Sequence, residues 1–201
     1  MHDDGVKILL FLAQGFEDLE AVAIMDVFGW THYREHLRKA YVTTVGLRDV
    51  VQSRFGLAIK PDLQLSEVNP EDYHAFALPG GFHSHGYEEA YDPAVHRIAH
   101  GIHQRGGYIA TGCVGVLPVA DAGLLKGKQA TTYPYSRHHD NQGRLRAGGA
   151  RVVAEDVVID DRIISCAGPG SSLEVAFLLM ECLMGSQTAR EVRRYMIYKP
   201  H

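Results

Sequence analysis

The 201-residue chain has only three cysteines, Cys113, Cys166 and Cys182, and none lie at a zinc-ligand spacing. So sparse and odd a set excludes a disulfide scaffold and makes reduced thiols the natural state. Long apolar runs are missing too. The longest near the amino terminus, Ile8 to Ala13, is far too short for a bilayer, and no basic stretch leads into it as a secretory signal requires. No basic tract occurs and the formal net charge is -4, so nothing draws the chain to nucleic acid or to an anionic membrane. Internal repeats, low-complexity tracts and linkers are also absent. What remains is a cytoplasmic globular protein with no nucleic-acid partner and no membrane partner.

What is present fits that class. Apolar residues make up 46% and charged residues 22% of the chain, the balance of an ordinary globular protein. The length suits a single domain over 1–201, with a core from about 6 to 185 and a helical extension over 186–201. Val6 to Ala13 is nearly continuous in apolar character, as in a strand covered on both faces of a parallel sheet. A helix opens at Phe16-Glu17-Asp18-Leu19-Glu20, with an apolar stripe at Leu19, Val22, Ala23, Val27 and Trp30. Ala40 to Gly46 reads as a second strand, Val50 to Ile59 as a hairpin, and Tyr73 to Leu78 as a strand running into Pro79-Gly80-Gly81. Asp92-Pro93 starts a helix that runs to Gln104, and Val116 to Ala122 forms another that stops at Gly123. Arg151 to Glu155, Val157 to Ile159 and Ile163 to Cys166 are short strands, the last two joined at Asp160-Asp161. Ser171-Ser172-Leu173-Glu174 fits a capping box before a helix whose stripe is Val175, Leu178, Leu179, Cys182 and Leu183, which makes Cys182 core. Strand and helix alternate throughout. That order predicts a three-layer α/β/α sandwich around a mostly parallel sheet.

Chemistry concentrates at Gly106 to Val116, a short strand followed at once by a helix, with Cys113 on the turn. A nucleophile held there projects from the carboxyl end of a sheet while the amides of the next helix face it. Those amides favour negative charge, so the thiol is expected to ionise more readily than a free cysteine. A buried inert cysteine is the plainer alternative, but glycines on both sides and the switch from strand to helix favour the nucleophile. Glu17 and Glu20, three residues apart, share one face of the first helical turn above the end of the first strand. Acids in that position also complement the helix dipole without further function. Gly80-Gly81 lets backbone approach a ligand closely.

Taken together, the Phe16-Glu17-Asp18-Leu19-Glu20 opening, Leu78-Pro79-Gly80-Gly81, the Gly112-Cys113 elbow and Cys166-Ala167-Gly168-Pro169-Gly170 resemble the DJ-one/ThiJ/PfpI superfamily in order and spacing. The resemblance covers Val6 to about Gly185. It implies a flavodoxin-like sandwich, a homodimer, Cys113 as nucleophile, Glu20 as its partner acid with Glu17 nearby, and the amides of Gly81 and Val114 as an oxyanion-binding pair. Two departures stand out. Val114 replaces the histidine that follows the nucleophile in the protease-like branch, and Tyr133 in Thr131-Thr132-Tyr133-Pro134 replaces the histidine of the other branch. A phenol titrating near 10 is a poor base at neutral pH, although it can donate to an oxyanion or orient a substrate. Ala167 stands where an arginine often precedes the late Gly-Pro-Gly.

The twelve histidines offer substitutes. His83 and His85 follow the Gly80-Gly81 turn, and His138 and His139 follow Tyr133; each is equally readable as a solvated loop residue. His83-Ser84-His85 would suit zinc or copper only with a carboxylate such as Glu20 or Glu88, and two histidines do not specify a metal. No metal and no cofactor is expected. The chain therefore reads as a cysteine-dependent enzyme acting on a small electrophilic carbonyl or amide through Cys113 and Glu20. A redox-responsive stress protein or chaperone, oxidised at Cys113 without turnover, is the alternative.

Overall fold

The sheet forms where the sequence is most continuously apolar. The computed structural model describes residues 5–199. In chain order it contains β1 (Val6–Phe11), α1 (Asp18–Gly29), β2 (Ala40–Gly46), β3 (Val51–Gln52), β4 (Ala58–Ile59), β5 (Leu63–Gln64) and β6 (Ala75–Leu78). The second half adds α2 (Pro93–Gln104), β7 (Tyr108–Thr111), α3 (Val116–Asp121), β8 (Gln129–Ala130), α4 (Asn141–Ala147), β9 (Arg151–Val152), β10 (Val157–Asp160), β11 (Ile163–Cys166), α5 (Ser172–Met184) and α6 (Ser186–Tyr195). Among the described residues the main sheet runs β10-β11-β7-β6-β1-β2-β5. Its pairs are parallel apart from β10 with β11.

Alternation along each strand divides the core in two. Leu9 and Phe11 of β1 face Ile98 and Ile102 of α2 and Val116 and Val119 of α3. Ile8 and Leu10 face the other way, onto Ile24, Val27 and Phe28 of α1 and Val175, Leu179 and Met180 of α5. The result is the expected α/β/α sandwich with a flavodoxin-like, mostly parallel sheet. Because β1, β6 and β7 are adjacent, the loops leaving their carboxyl ends meet at one place. Hydrogen bonds fix them there: the Glu17 N–H donates to Gly80 O (2.8 Å), Phe82 N–H to Gly15 O (3.0 Å) and Gly112 N–H to Leu78 O (3.1 Å).

Several expectations change. Ala23 and Val27 are buried as expected, but Leu19 and Val22 are 50% and 40% exposed, and Ala21, Ile24 and Phe28 complete the inner face of α1. An almost uniformly apolar helix gives periodicity too little contrast to choose its inner face. Trp30 lies past α1 in a 3-10 turn, Trp30–Tyr33. The turn between β10 and β11 is Asp161-Arg162, whose φ values of 45° and 62° are the left-handed pair a tight hairpin requires. The strand expected over Arg151 to Glu155 is only two residues long. Cys182 is half-buried rather than core. The capping box does not form either: Ser171 makes no side-chain cap bond, and Ser172 Oγ donates to Pro169 O at 2.6 Å. Glu174 turns instead to α6, accepting from both Arg193 guanidinium nitrogens (3.0 and 2.9 Å) and from the Tyr198 hydroxyl (2.8 Å). The helical extension thus docks on the core through Ala189 and Val192; residues 200–201 lie outside the described residues.

Glu174→Ala should therefore lower unfolding stability by about 1 kcal/mol, a partly exposed ionic hydrogen-bond pair. Ser171→Ala should cost less than about 0.5 kcal/mol, as a surface change that removes no cap bond. Urea denaturation of the two variants tests this, and the reverse order would restore the capping box.

Candidate active site

Glycine allows three chain segments to converge on Cys113. A Cβ on Gly115 would lie 2.2 Å from Leu78 O, one on Gly112 would lie 2.2 Å from Glu20 Oε2, and one on Gly80 would lie 2.9 Å from Cys113 Cβ. Gly115 N–H closes the turn onto Gly112 O at 2.6 Å. Cys113 is held at φ 47°, the left-handed conformation that few non-glycine residues adopt and that commonly marks a functional turn. Its carbonyl accepts the Thr132 hydroxyl at 3.0 Å, which ties the elbow to the segment carrying Tyr133.

Glu20 reaches the elbow from α1 and is only 4% exposed. Its Oε2 accepts the Gly80 N–H at 2.6 Å, while Oε1 is buried without a hydrogen-bond partner. Burial pushes this carboxyl up to about 8 against the pull of the Gly80 amide, and the Glu17 charge adds to the rise. An uncompensated buried oxygen is costly for a carboxylate, so at neutral pH Glu20 carries a proton and can act as a donor. Glu17 is the N-cap of α1, its Oε2 accepting the Glu20 N–H at 2.9 Å, and burial raises its carboxyl too.

The thiol does not follow the simple helix-amide expectation. Burial pushes Cys113 well above its ordinary value, an ionised Glu20 pushes it further, and the Val114 N–H pulls it back. Desolvation outweighs the helix amides. Below about pH 8 Glu20 is neutral, which removes its contribution, while burial, with smaller contributions from Cys166 and Glu17, still opposes the Val114 amide. Cys166, behind the elbow, is raised to about 12 by burial and stays a thiol.

Cys113 opens onto a cavity of about 420 Å³, within the size range of small-molecule sites. Glu17, Gly81, His83, Val114, Tyr133, His138 and His139 share its wall with Cys113. Glu20 and Gly80 stand behind that wall: the Gly80 N–H holds Glu20 rather than a ligand. His85, expected to bind, is not part of the lining. In the 3-10 turn His83–His85, residues two apart point to different sides, and Ser84 Oγ pairs with His85 Nδ1 at 2.8 Å beside the Phe82 ring. Phe55, Phe82, Tyr135, Arg137 and Asn141 also line the cavity, although no motif pointed to them. Phe55 at the hairpin tip was the one visible signal, an aromatic ring where a turn is usually polar. Among the described residues no group of three or more metal-ligating side chains gathers.

Residues 6–182 match the DJ-1/PfpI family profile. The chain belongs to the DJ-1/PfpI family. Protein DJ-1alpha of Drosophila melanogaster is 32% identical over 197 residues, covering 96% of this chain and 85% of the relative. Deglycase PfpI of Pyrococcus furiosus is 29% identical over 165 residues, covering 82% of this chain and 92% of the relative. The solved structure of oxidized Toxoplasma gondii DJ-1 superposes with a TM-score of 0.82 at 26% identity, covering 98% of this chain and all of that one. Val114 and Tyr133 stand where the sequence resemblance led to the expectation of a histidine, and the cavity carries His83, His138 and His139 on other loops.

The Glu20 shift has a sign that stability can read. A carboxyl raised in the fold contributes stability fully present below its unfolded value near 4.5 and lost as pH rises through about 8. Glu20→Gln should therefore melt above wild type at pH 8.5, and the gap should close by pH 5. A gap that stays the same at both pH values would mean that Glu20 does not titrate between them.

Proposed function

We propose that this protein is a cysteine-dependent enzyme acting on small electrophilic carbonyls, 2-oxoaldehydes or the adducts they form, with amide hydrolysis a related use of the same site. The observation that carries the reading is Cys113 at a left-handed elbow, open to a 420 Å³ cavity and backed by a carboxylic acid that holds its proton at neutral pH. Sulfur adds to the carbonyl carbon, the Gly81 and Val114 amides face the developing oxyanion, and Glu20 supplies a proton donor from behind. The deglycase name of the Pyrococcus furiosus relative supports this choice of substrate class.

A second reading draws on Glu20 Oε1, the buried oxygen without a partner. Two equivalents of hydrogen peroxide convert a thiol to a sulfinic acid with release of two water molecules, and a protonated Glu20 would hydrogen-bond the resulting sulfinate. The oxidized state named for the Toxoplasma gondii protein favours keeping it in view. Mass spectrometry after mild peroxide decides it: gain of two oxygens confined to Cys113 supports it, and equal oxidation of Cys166 and Cys182 removes it.

We also propose a homodimer. Leu19, Val22 and Met25 recur every three residues on α1 and stay 50%, 40% and 38% exposed. The hairpin tip lies beside them, with the Phe55 N–H donating to Asp18 Oδ2 at 3.0 Å, and it exposes Phe55 and Leu57 as well. Light scattering should give twice the chain mass for wild type and a monomer for Val22→Glu.

Cys113→Ala should reduce turnover of methylglyoxal by about 10³-fold or more while leaving the fold intact. Retained turnover in that variant would remove the cysteine mechanism.

A further inference from the structure

Near neutral pH the two groups central to the elbow both hold protons, Glu20 because burial raises it to about 8 and Cys113 because burial raises it further. Turning a 2-oxoaldehyde into a 2-hydroxy acid still requires a group that takes a C–H proton and returns it one carbon away. Tyrosine and arginine are protonated at this pH and cannot serve as that base. The Glu17 carboxyl caps α1 through the Glu20 N–H, and His138 and His139 are both exposed on their loop. His83 differs, because it is half-buried and its ring is held in place. It lies 4.9 Å from the His139 ring, edge-on to Tyr87 at 5.7 Å and beside Tyr91 at 5.8 Å, with the Tyr91 hydroxyl 3.4 Å from Nε2. Tyr91 is itself fixed by the Arg144 guanidinium 4.2 Å above its ring, and Arg144 binds Asp121 at 2.6 Å.

We propose that His83, with His139 beside it, is the proton carrier of this site and acts on the substrate bound in the cavity they share with Cys113. The proposal rests on the carbonyl-enzyme reading above. The thiol adds across the aldehyde carbonyl, sulfur to carbon and hydrogen to oxygen. His83 removes the remaining hydrogen of that carbon as a proton, and the electron pair forms a double bond to the neighbouring carbon as the ketone oxygen takes the negative charge. The hydroxyl proton passes from the first oxygen to the second, and the imidazolium returns its proton to the second carbon, leaving a thioester beside a hydroxyl. Water then cleaves the thioester to the 2-hydroxy acid and frees the thiol. One carbon is oxidised as its neighbour is reduced, so no outside oxidant is needed.

The surroundings suit a neutral base. Burial lowers His83 from the ordinary imidazole value, Glu88 pulls it back up, and His139 and Arg144 push it down, while Tyr91 stays a phenol because burial raises it to about 12. His83 is thus uncharged at pH 7, and turnover should fall only as acid protonates it below the ordinary imidazole range.

Wild type, His83→Gln and His139→Gln are assayed with methylglyoxal across pH. We expect His83→Gln to lose kcat by about 10²-fold or more with KM little changed, to lose the acid limb of the profile, and to recover in part with added imidazole. His139→Gln removes a group that holds His83 down, so its acid limb should move to higher pH. If wild type turns over and folded His83→Gln keeps its kcat and acid limb, this proposal falls and the carbonyl reading stands. Loss of kcat without imidazole recovery, with the acid limb retained, assigns His83 a packing role and also overturns it. No wild-type turnover would bring down the carbonyl reading and this proposal with it.

Discussion

Burial of one carboxyl group, Glu20, beneath the elbow is the constraint on which the site depends. A carboxylic acid removed from water and given a single amide partner keeps its proton, and that proton is what makes it useful to a neighbouring sulfur. The same burial opposes ionisation of Cys113, so the pair cannot readily both be charged. The protonation state near neutrality follows from where α1 begins, because Glu17 caps that helix and sets the height of Glu20 against β6 and β7.

Such closeness requires backbone without side chains. Gly112 leaves room for the Glu20 carboxyl, Gly80 for the Cys113 side chain and Gly115 for the Leu78 carbonyl, each where an added Cβ would sit under 3 Å from its neighbour. Cys113 then takes the left-handed conformation itself. Interlocked loops from three adjacent strands hold that conformation, since the packing on both sheet faces leaves them little freedom to relax.

The cavity wall follows a different logic. It is assembled from loops distant in sequence, the hairpin tip at Phe55, the turn at Phe82 and His83, and the segment from Tyr133 to Asn141. Aromatic contacts fix its rings: Phe55 against Phe82 at 5.8 Å, Tyr133 against Tyr135 at 5.9 Å, and His83 against His139. The elbow is held by backbone contacts between adjacent strands, whereas this wall is built from loops, whose side chains can change without disturbing the sheet.

The sheet, the elbow and the acid are legible in the unfolded chain. Strands buried on both faces announce themselves as apolar runs, Gly112-Cys113 sits at a switch from strand to helix, and Glu17 and Glu20 fall at the start of α1, although Glu17 is its extended N-cap rather than part of the first turn. The sequence did not determine which face of α1 is buried, since Leu19 and Val22 are as apolar as Ile24 and Phe28 and only packing against α5 and the sheet distinguishes them. Nor did it determine the partner of Glu174, which prefers Arg193 and Tyr198 to its own helix end. Tertiary structure alone separated His83 from His85 and joined His83 to His139, because a residue's surroundings in a loop depend on chain segments far away in sequence. The thiol's ionisation was decided at the same level: helix amides are local and visible in the sequence, whereas the desolvation that outweighs them exists only once the core has closed around Cys113.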